Sequence, residues 1–207
     1  MCISFATTQN AVWVKKHLGV DLPSGYPSEA FPGYLAPLVV KSHLSGRIAI
    51  GLAEFGLIPH WSKDRKIQKH TYNARYETIA QKPSYRTPWK SRRYGIALVD
   101  HFYEPSYTTG KTIRTAIQSQ NAEPLGIASI WDTWTDPQSG EVVTSFSLIT
   151  INADDHPLMN TLHRTDEEKR TPVLLGGNQL LQWLDASPDD ASNWMTHHQF
   201  PELVQAR

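Results

Sequence analysis

The sequence is poor in cysteine: Cys2 is the only one among 207 residues, so no disulfide can form within the chain. No apolar run has the length that a membrane-spanning helix needs, and the start of the chain has no apolar signal segment. These absences predict a soluble, cytoplasmic protein that has no membrane partner. In such a reducing compartment a free thiol persists.

The sequence also lacks the common cofactor and phosphate motifs. It has no phosphate-cradling glycine loop, no nucleophile elbow and no internal repeat. Its nine histidines include no pair at a convincing metal-ligand spacing. We therefore expect neither a metal ion nor a cofactor.

Net charge is zero, which argues against a protein that coats nucleic acid non-specifically. The charges are nevertheless uneven. Residues 41–100 hold twelve Lys and Arg against four Asp and Glu, which leaves that segment at +8. This segment indicates either a local face for phosphate groups or an ordinary solvated basic surface.

The chain length suits one domain, over residues 1–207. Short apolar runs bounded by turn residues predict strands, and no regular alternation of strand and helix accompanies them. We expect an α+β fold with a mainly antiparallel, barrel-like sheet decorated by short helices. The predicted strands are 37–41, 47–55, 94–103, 112–118, 125–134 and 142–151.

Three short helices are predicted. Residues 8–18 form the first, with Thr8 as its cap and Gly19 as its end, and residues 74–81 and 178–184 form the others. The Pro- and Gly-rich stretch that follows the first helix predicts an ordered loop.

Cys2 is the first candidate for chemistry. Removal of Met1 would leave an amine and a thiol on one residue, with reference pKa values of about 7.7–8.0 and about 8.5. An aldehyde condenses with such an amine to an imine, and the thiolate then closes a five-membered thiazolidine ring. Taken alone, a Cys after Met is more often incidental.

The segment from Asn73 to Thr78 offers two alternatives. Asn73 can orient a polar intermediate, and the planar fork of Arg75 suits a phosphate. On a helix, Asn73 and Glu77 would share a face. Alternatively, Asn73 only caps the start of a helix, and Arg75 and Glu77 are solvated.

Three further residues stand out. Glu104 follows an apolar strand with aromatic residues and precedes a proline, so it is either a carboxyl with a raised pKa or a water-facing carboxylate. His163 suits proton transfer near neutral pH, although one histidine among nine is usually structural. Trp61 stands beside basic residues and could stack on bases, although burial is the default for most tryptophans.

In this order, the pieces resemble one family: the SOS-response-associated peptidases, or abasic-site crosslinking proteins. The Met1-Cys2 start and the Asn-Ala-Arg-x-Glu-Thr piece are the most specific. This chain departs from the family pattern at Ile3-Ser4, at Pro105 and at a short insertion over residues 164–169. The matching pieces are Met1-Cys2, Gly56–Trp61, Asn73–Thr78, Lys82–Arg86, Arg92-Arg93, Phe102–Glu104, Leu148–Thr150, His163 and Thr171–Leu175.

The resemblance implies a monomer that crosslinks Cys2 to abasic sites in single-stranded DNA after loss of Met1. Met1 is removed either by the chain itself, as a thiol peptidase, or by an aminopeptidase, and the same chemistry allows a weak lyase activity. The implied catalytic residues are Cys2, Asn73, Glu104 and His163. The implied DNA contacts are Trp61, Arg75, Arg86, Thr150 and Arg170. Two alternatives stay open: a cysteine peptidase or amidase that acts on other substrates, and a non-catalytic DNA-binding module.

Overall fold

The computed structural model describes residues 3–107, 111–162, 164, 166–197 and 199–206. Within these ranges the chain forms twelve strands and five α-helices. The strands are β1 Phe5–Thr7, β2 Glu29–Ala30, β3 Leu35–Lys41, β4 Ile48–Phe55, β5 Asn73–Arg75, β6 Tyr94–Ser106, β7 Ile113–Ser119, β8 Leu125–Thr135, β9 Val142–Asn152, β10 Arg170–Pro172, β11 Leu174–Leu175 and β12 Leu203–Gln205. The helices are α1 Ala11–Leu18, α2 Tyr76–Ile79, α3 Arg86–Lys90, α4 Gln179–Asp185 and α5 Pro188–Thr196, and 3₁₀ turns cover Arg65–His70 and Met159–Thr161.

The sheet closes on itself. β8 pairs with β9, β9 with β4, β4 with β3 and β3 with β6, and β6 pairs back to β8. Four of these five pairings are antiparallel, and β4 with β9 is parallel. The predicted α+β, barrel-like architecture is confirmed, with a mixed sheet because β4 and β5 each run parallel to β9.

The central strands are buried on both faces, which explains their nearly continuous apolar sequences. On β6, Ile96 and Leu98 join a cluster that also contains helix residues such as Trp183. Ala97 and Val99 point the other way, into a cluster on the inward face of the closed sheet. The helices therefore cover the outside of the barrel, and a second core fills its inside.

The first predicted helix is present as α1, but its cap differs from the prediction. The side chain of Asn10, and not that of Thr8, accepts the backbone N–H of Trp13 at 3.0 Å. Gly19 ends the helix in the left-handed conformation with a φ of 71°, as the sequence predicted. The loop after α1 contains the short strand β2 and the start of β3.

The second predicted helix is shorter than expected. Residues 74 and 75 belong to strand β5, and the helix α2 begins only at Tyr76. The reason is tertiary, since the backbone of β5 pairs with residues 148–150 of β9. The third predicted helix is confirmed as α4, where the indole N–H of Trp183 donates to the carbonyl of Gly95 at 2.9 Å.

In the described part of the chain, no helix is both long and apolar enough to cross a membrane. Over the same residues, no group of three or more His, Cys, Asp or Glu side chains is arranged to hold a metal ion.

Candidate active site and DNA-binding groove

Glu104 is a buried carboxyl in the interior of strand β6. It lies opposite Thr115 of β7, and only 1% of its surface is exposed. Its neighbours at alternate positions, Phe102 and Ser106, are buried as well. The solvent-facing alternative for Glu104 is therefore wrong. Burial raises the pKa of Glu104 to about 7, so the group can both accept and release a proton near neutrality.

The strand that follows Cys2 runs along the strand of Glu104. Cys2 itself lies outside the described residues, which begin at Ile3. Phe5 pairs with Phe102, and the backbone N–H of Tyr103 donates to the carbonyl of Ser4 at 3.2 Å. The described start of the chain is thus held beside the buried carboxyl.

Asn73 lies on strand β5 and does not cap a helix. Its register partner is Leu148 of β9, and its carbonyl accepts the hydroxyl of Tyr85 at 3.1 Å. The predicted helical face shared by Asn73 and Glu77 is therefore wrong, because only Glu77 is helical.

Some described neighbours of the predicted catalytic residues belong to the inward-facing core, and others do not. His163, like Cys2, lies outside the described residues. Ala74, which follows Asn73, and Tyr85, which bonds to it, belong to the outer cluster. The neighbours that belong to or pack against the inward-facing cluster are Phe5, Tyr72, Phe102, Leu148 and Leu162.

Next to Asn73 is an open groove of about 420 Å³ that carries positive charge. No acidic side chain is among the residues that line it. We call it the basic groove, and its lining residues are Ile67, His70, Thr71, Asn73, Arg75, Thr78, Lys82, Pro83, Ser84 and Tyr85.

Trp61 stands beside the basic groove. Its indole N–H donates to the carbonyl of Pro83 at 3.3 Å, and 49% of the residue is exposed. Arg86 begins the helix α3, shortly after Pro83. The groove, the exposed ring and the nearby arginine form a surface that can take phosphates and an unpaired base.

Arg170 occupies a different setting from the one the sequence indicated. Its side chain is 2% exposed and donates to Glu77 at 2.8 Å and to Glu168 at 2.5 Å. It also donates to the backbone carbonyl of Thr150 at 2.8 Å, and its Nε donates to the hydroxyl of Thr150 at 3.2 Å. Thr150 is itself buried, so DNA contacts by these two residues stay predictions that require their exposure.

The family model described as SOS response associated peptidase (SRAP) matches residues 1–205. The chain belongs to the SRAP family. The family resemblance indicated by the sequence is confirmed.

Two relatives and one solved structure extend the comparison of this SRAP chain. The abasic site processing protein YoqW of Bacillus subtilis (strain 168) is 33% identical over 142 residues, which are 68% of this chain and 59% of YoqW. YobE, an abasic site processing protein of the same organism, is 33% identical over 92% of this chain and 84% of its own length. The match to YoqW thus covers less than two thirds of that protein. A crystal structure of a Bordetella bronchiseptica protein has a TM-score of 0.87 at 28% identity, with 99% of this chain and 98% of that chain covered.

Two charged residues of this SRAP chain that the sequence analysis did not single out support the site. Asp132, fully buried on β8, forms an ion pair with Arg93 and accepts the backbone N–H of His60 at 3.3 Å. It therefore anchors the loop that presents Trp61. The sequence feature that could have identified Asp132 is an acidic residue within an apolar strand sequence.

Arg114 is the second. It donates to the hydroxyl of Ser4 at 2.8 Å, pairs with Glu29 and lies over the ring of Tyr103. It thereby holds the described start of the chain against β6.

Proposed function

We propose that this SRAP chain processes abasic sites in single-stranded DNA by joining its own Cys2 to them as a thiazolidine after loss of Met1. The observation that carries the proposal is the buried Glu104, whose pKa is raised to about 7 beside the strand that follows Cys2. A nucleophilic amine must lose a proton before it attacks, and a carboxylate with this pKa is matched to that task at neutral pH.

The reaction begins on the ring-opened abasic deoxyribose, which presents an aldehyde. The Cys2 amine, deprotonated by Glu104, adds to the aldehyde carbon, and the hydroxyl of the adduct leaves as water with the proton that Glu104 returns. The imine carbon then accepts the thiolate of Cys2, and the imine nitrogen takes up a proton. The product contains protein and DNA less one water molecule.

The other predicted residues fit supporting roles. His163 moves a proton at the sugar oxygen and so aids ring opening, and Asn73 holds the intermediate by hydrogen bonds. The basic groove binds the flanking strand through Arg75, with Trp61 stacking against a base and Arg86 near a phosphate. Single-stranded DNA avoids the energy of unpairing the lesion.

Two side activities follow from the same intermediates. An imine on the sugar permits β-elimination, which is a weak lyase activity. A Cys2 thiol that assists release of Met1 is a peptidase activity on the chain itself, in keeping with the family's description.

The test is a denaturing gel with an oligonucleotide that carries one abasic site. We expect a band shifted by the protein's mass, and a mass for the product that lacks both Met1 and one water molecule. An oligonucleotide whose abasic aldehyde has been reduced to an alcohol should give no product. Equal crosslinking by Cys2→Ala would overturn the proposal.

A second variant separates the two bonds of the thiazolidine. Cys2→Ser keeps the terminal amine and replaces the thiol, so it should form only an imine. That adduct should survive denaturation after borohydride reduction and be lost without it. A stable adduct of Cys2→Ser without borohydride would show that the thiol plays no part.

A further inference from the structure

Glu168 forms an ion pair with the guanidinium of Arg75, which the proposed function assigns to a DNA phosphate. One carboxylate oxygen of Glu168 accepts from Arg75 Nη1 at 2.6 Å, and the other accepts from the buried Arg170 at 2.5 Å. The side chains of Glu168 and Arg75 are 41% and 47% exposed. The pair is thus open to solvent on one side and fixed to the protein on the other.

Among the described residues, Arg75 is, with Lys82, one of the two Lys or Arg side chains that line the basic groove, and it alone has the planar fork that suits a phosphate. It lines the basic groove together with Asn73, and it is the register partner of Thr150 on β9. A carboxylate and a phosphate bind an arginine fork in similar ways, so both compete for the same donors. Glu168 therefore stands where a phosphate oxygen would accept from Arg75.

The hydrogen bonds of Arg170 show why phosphate can displace Glu168. Arg170 keeps two hydrogen bonds from its guanidinium to the carboxylate of Glu77, at 3.3 and 2.8 Å. If Glu168 leaves both arginines, the buried Arg170 therefore still has a carboxylate partner in Glu77. The exposed Arg75 can therefore exchange Glu168 for a phosphate, and the buried pair of Arg170 and Glu77 stays in place.

We propose that Glu168 is an internal competitor for DNA: its carboxylate holds Arg75 until a phosphate of the single strand displaces it. This inference rests on the DNA-binding part of the proposed function and not on the thiazolidine chemistry. Its consequence is selectivity, because a strand must bring enough other contacts to displace Glu168. Because Glu168 holds Arg75, weak binding of other anions to Arg75 is suppressed.

The competition should also change the dependence of DNA binding on salt. Each phosphate contact with single-stranded DNA normally contributes about 0.7 to the slope of log K against log salt, because counterions are released. When a phosphate displaces Glu168, the freed carboxylate takes up a cation, which offsets this release. Glu168→Gln should therefore bind more tightly and with a steeper slope.

The experiment measures binding of a fluorescent oligothymidine without abasic sites over a range of salt concentrations. We expect Glu168→Gln to bind about fivefold more tightly at moderate salt, since exposed ion pairs contribute up to about 1 kcal/mol. The matched control is Glu167→Gln, which removes the same charge from an exposed neighbour. It should give a clearly smaller gain in affinity.

A double variant tests whether the effect passes through Arg75. In an Arg75→Gln background, Glu168→Gln should no longer increase affinity. An equal gain from Glu167→Gln, a gain that survives without Arg75, or weaker binding by Glu168→Gln would each overturn the proposal. If Glu168→Gln does not fold, Glu168→Asp should still raise affinity, since its shorter carboxylate cannot span both arginines, and no gain would overturn it.

The proposed chemistry is judged separately, on the abasic oligonucleotide. Absence of a crosslink from the wild-type protein, together with the expected effects on oligothymidine, would remove the thiazolidine mechanism and leave the role of Glu168 intact. Normal crosslinking, together with no effect of Glu168→Gln on oligothymidine binding, would remove the role of Glu168 and leave the thiazolidine mechanism intact.

Discussion

Phe5 of β1 lies directly opposite Phe102 of β6, and this antiparallel pair fixes the register between the described start of the chain and the strand of Glu104. Both rings belong to the inward-facing core, so the register cannot slip by one residue without turning them out of it. The position of the start of the chain beside Glu104 is therefore enforced by packing.

Burial of Glu104 predicts a dependence of stability on pH. A carboxyl with a folded-state pKa of about 7 favours its protonated form, so its contribution is full below the unfolded value of 4.5 and is lost as pH rises through 7. Glu104→Gln should thus be more stable than wild type at pH 8, by at most about 3 kcal/mol. Urea unfolding at pH 5 and pH 8 measures this difference.

The same variant should lose the crosslinking activity, because an amide cannot accept the proton of the amine. Glu123→Gln, at an exposed position, is the matched control and should change neither stability nor crosslinking. A Glu104→Gln protein that is less stable than wild type at pH 8 would contradict the account of the buried carboxyl.

Trp61→Ala should weaken binding of single-stranded DNA and leave the fold intact. The residue is 49% exposed and its indole donates one hydrogen bond, so its loss should lower the free energy of unfolding by about 1–3 kcal/mol without unfolding the protein. Loss of one stacked base should weaken binding by about 1–3 kcal/mol. Fluorescence anisotropy with an oligothymidine measures the affinity, and Trp61→Phe, which keeps an aromatic ring, should recover most of it.

Asp132→Asn should destabilise the protein by about 1–3 kcal/mol, because the buried partner of Arg93 loses its charge while keeping its shape. The loop at His60 should loosen and DNA binding should weaken with it. A double-mutant cycle with Arg93→Gln isolates the ion pair, for which we expect a coupling of about 0.5–3 kcal/mol. Additive losses would indicate that the two side chains act independently.

The sequence predicted the long strands well because their signal is local. All six predicted strand runs are present, and in β6 and β8 burial on both faces produces the continuous apolar sequence on which those predictions relied. Short strands carry no such signal. β5 and β10 are each three residues long and form because β9 supplies their hydrogen-bond partners.

One missed element had a local signal. Helix α5 begins with a capping box in which Ser187 and Asp190 bond to each other's backbone N–H, with Pro188 at the first helical position. The Ser-Pro-Asp-Asp sequence is typical of a helix start.

Part of the candidate site could also be predicted from the sequence, because its signal is local. The acidic end of an apolar, aromatic strand indicated that Glu104 could be buried. The burial of Arg170 was not predictable, because its partner Glu77 is 93 residues away and only the completed sheet brings them together. The contact between Glu168 and Arg75 likewise depends on tertiary structure.

His156 supports the turn that leads to His163. Its Nδ1 accepts the backbone N–H groups of Leu158 and Met159, each at 3.2 Å, and its ring packs edge-on against Phe200. Because Nδ1 is an acceptor, the ring is neutral and carries its proton on Nε2. Burial lowers the pKa of His156 below its ordinary 6.5.

His156→Ala should therefore lower the free energy of unfolding by about 1 kcal/mol at neutral pH, as loss of a helix cap does. Since the folded pKa is lowered, the stabilisation by His156 is present above pH 6.5 and is lost as pH falls through the folded value. His156→Asn keeps an acceptor for the turn without titrating, so it should retain stability at pH 7 and lose less of it at pH 5.5 than wild type does. If the turn positions His163, crosslinking should slow in His156→Ala and recover in His156→Asn. Equal rates in the two variants, measured at pH 7 on folded protein, would show that the turn does not influence the reaction.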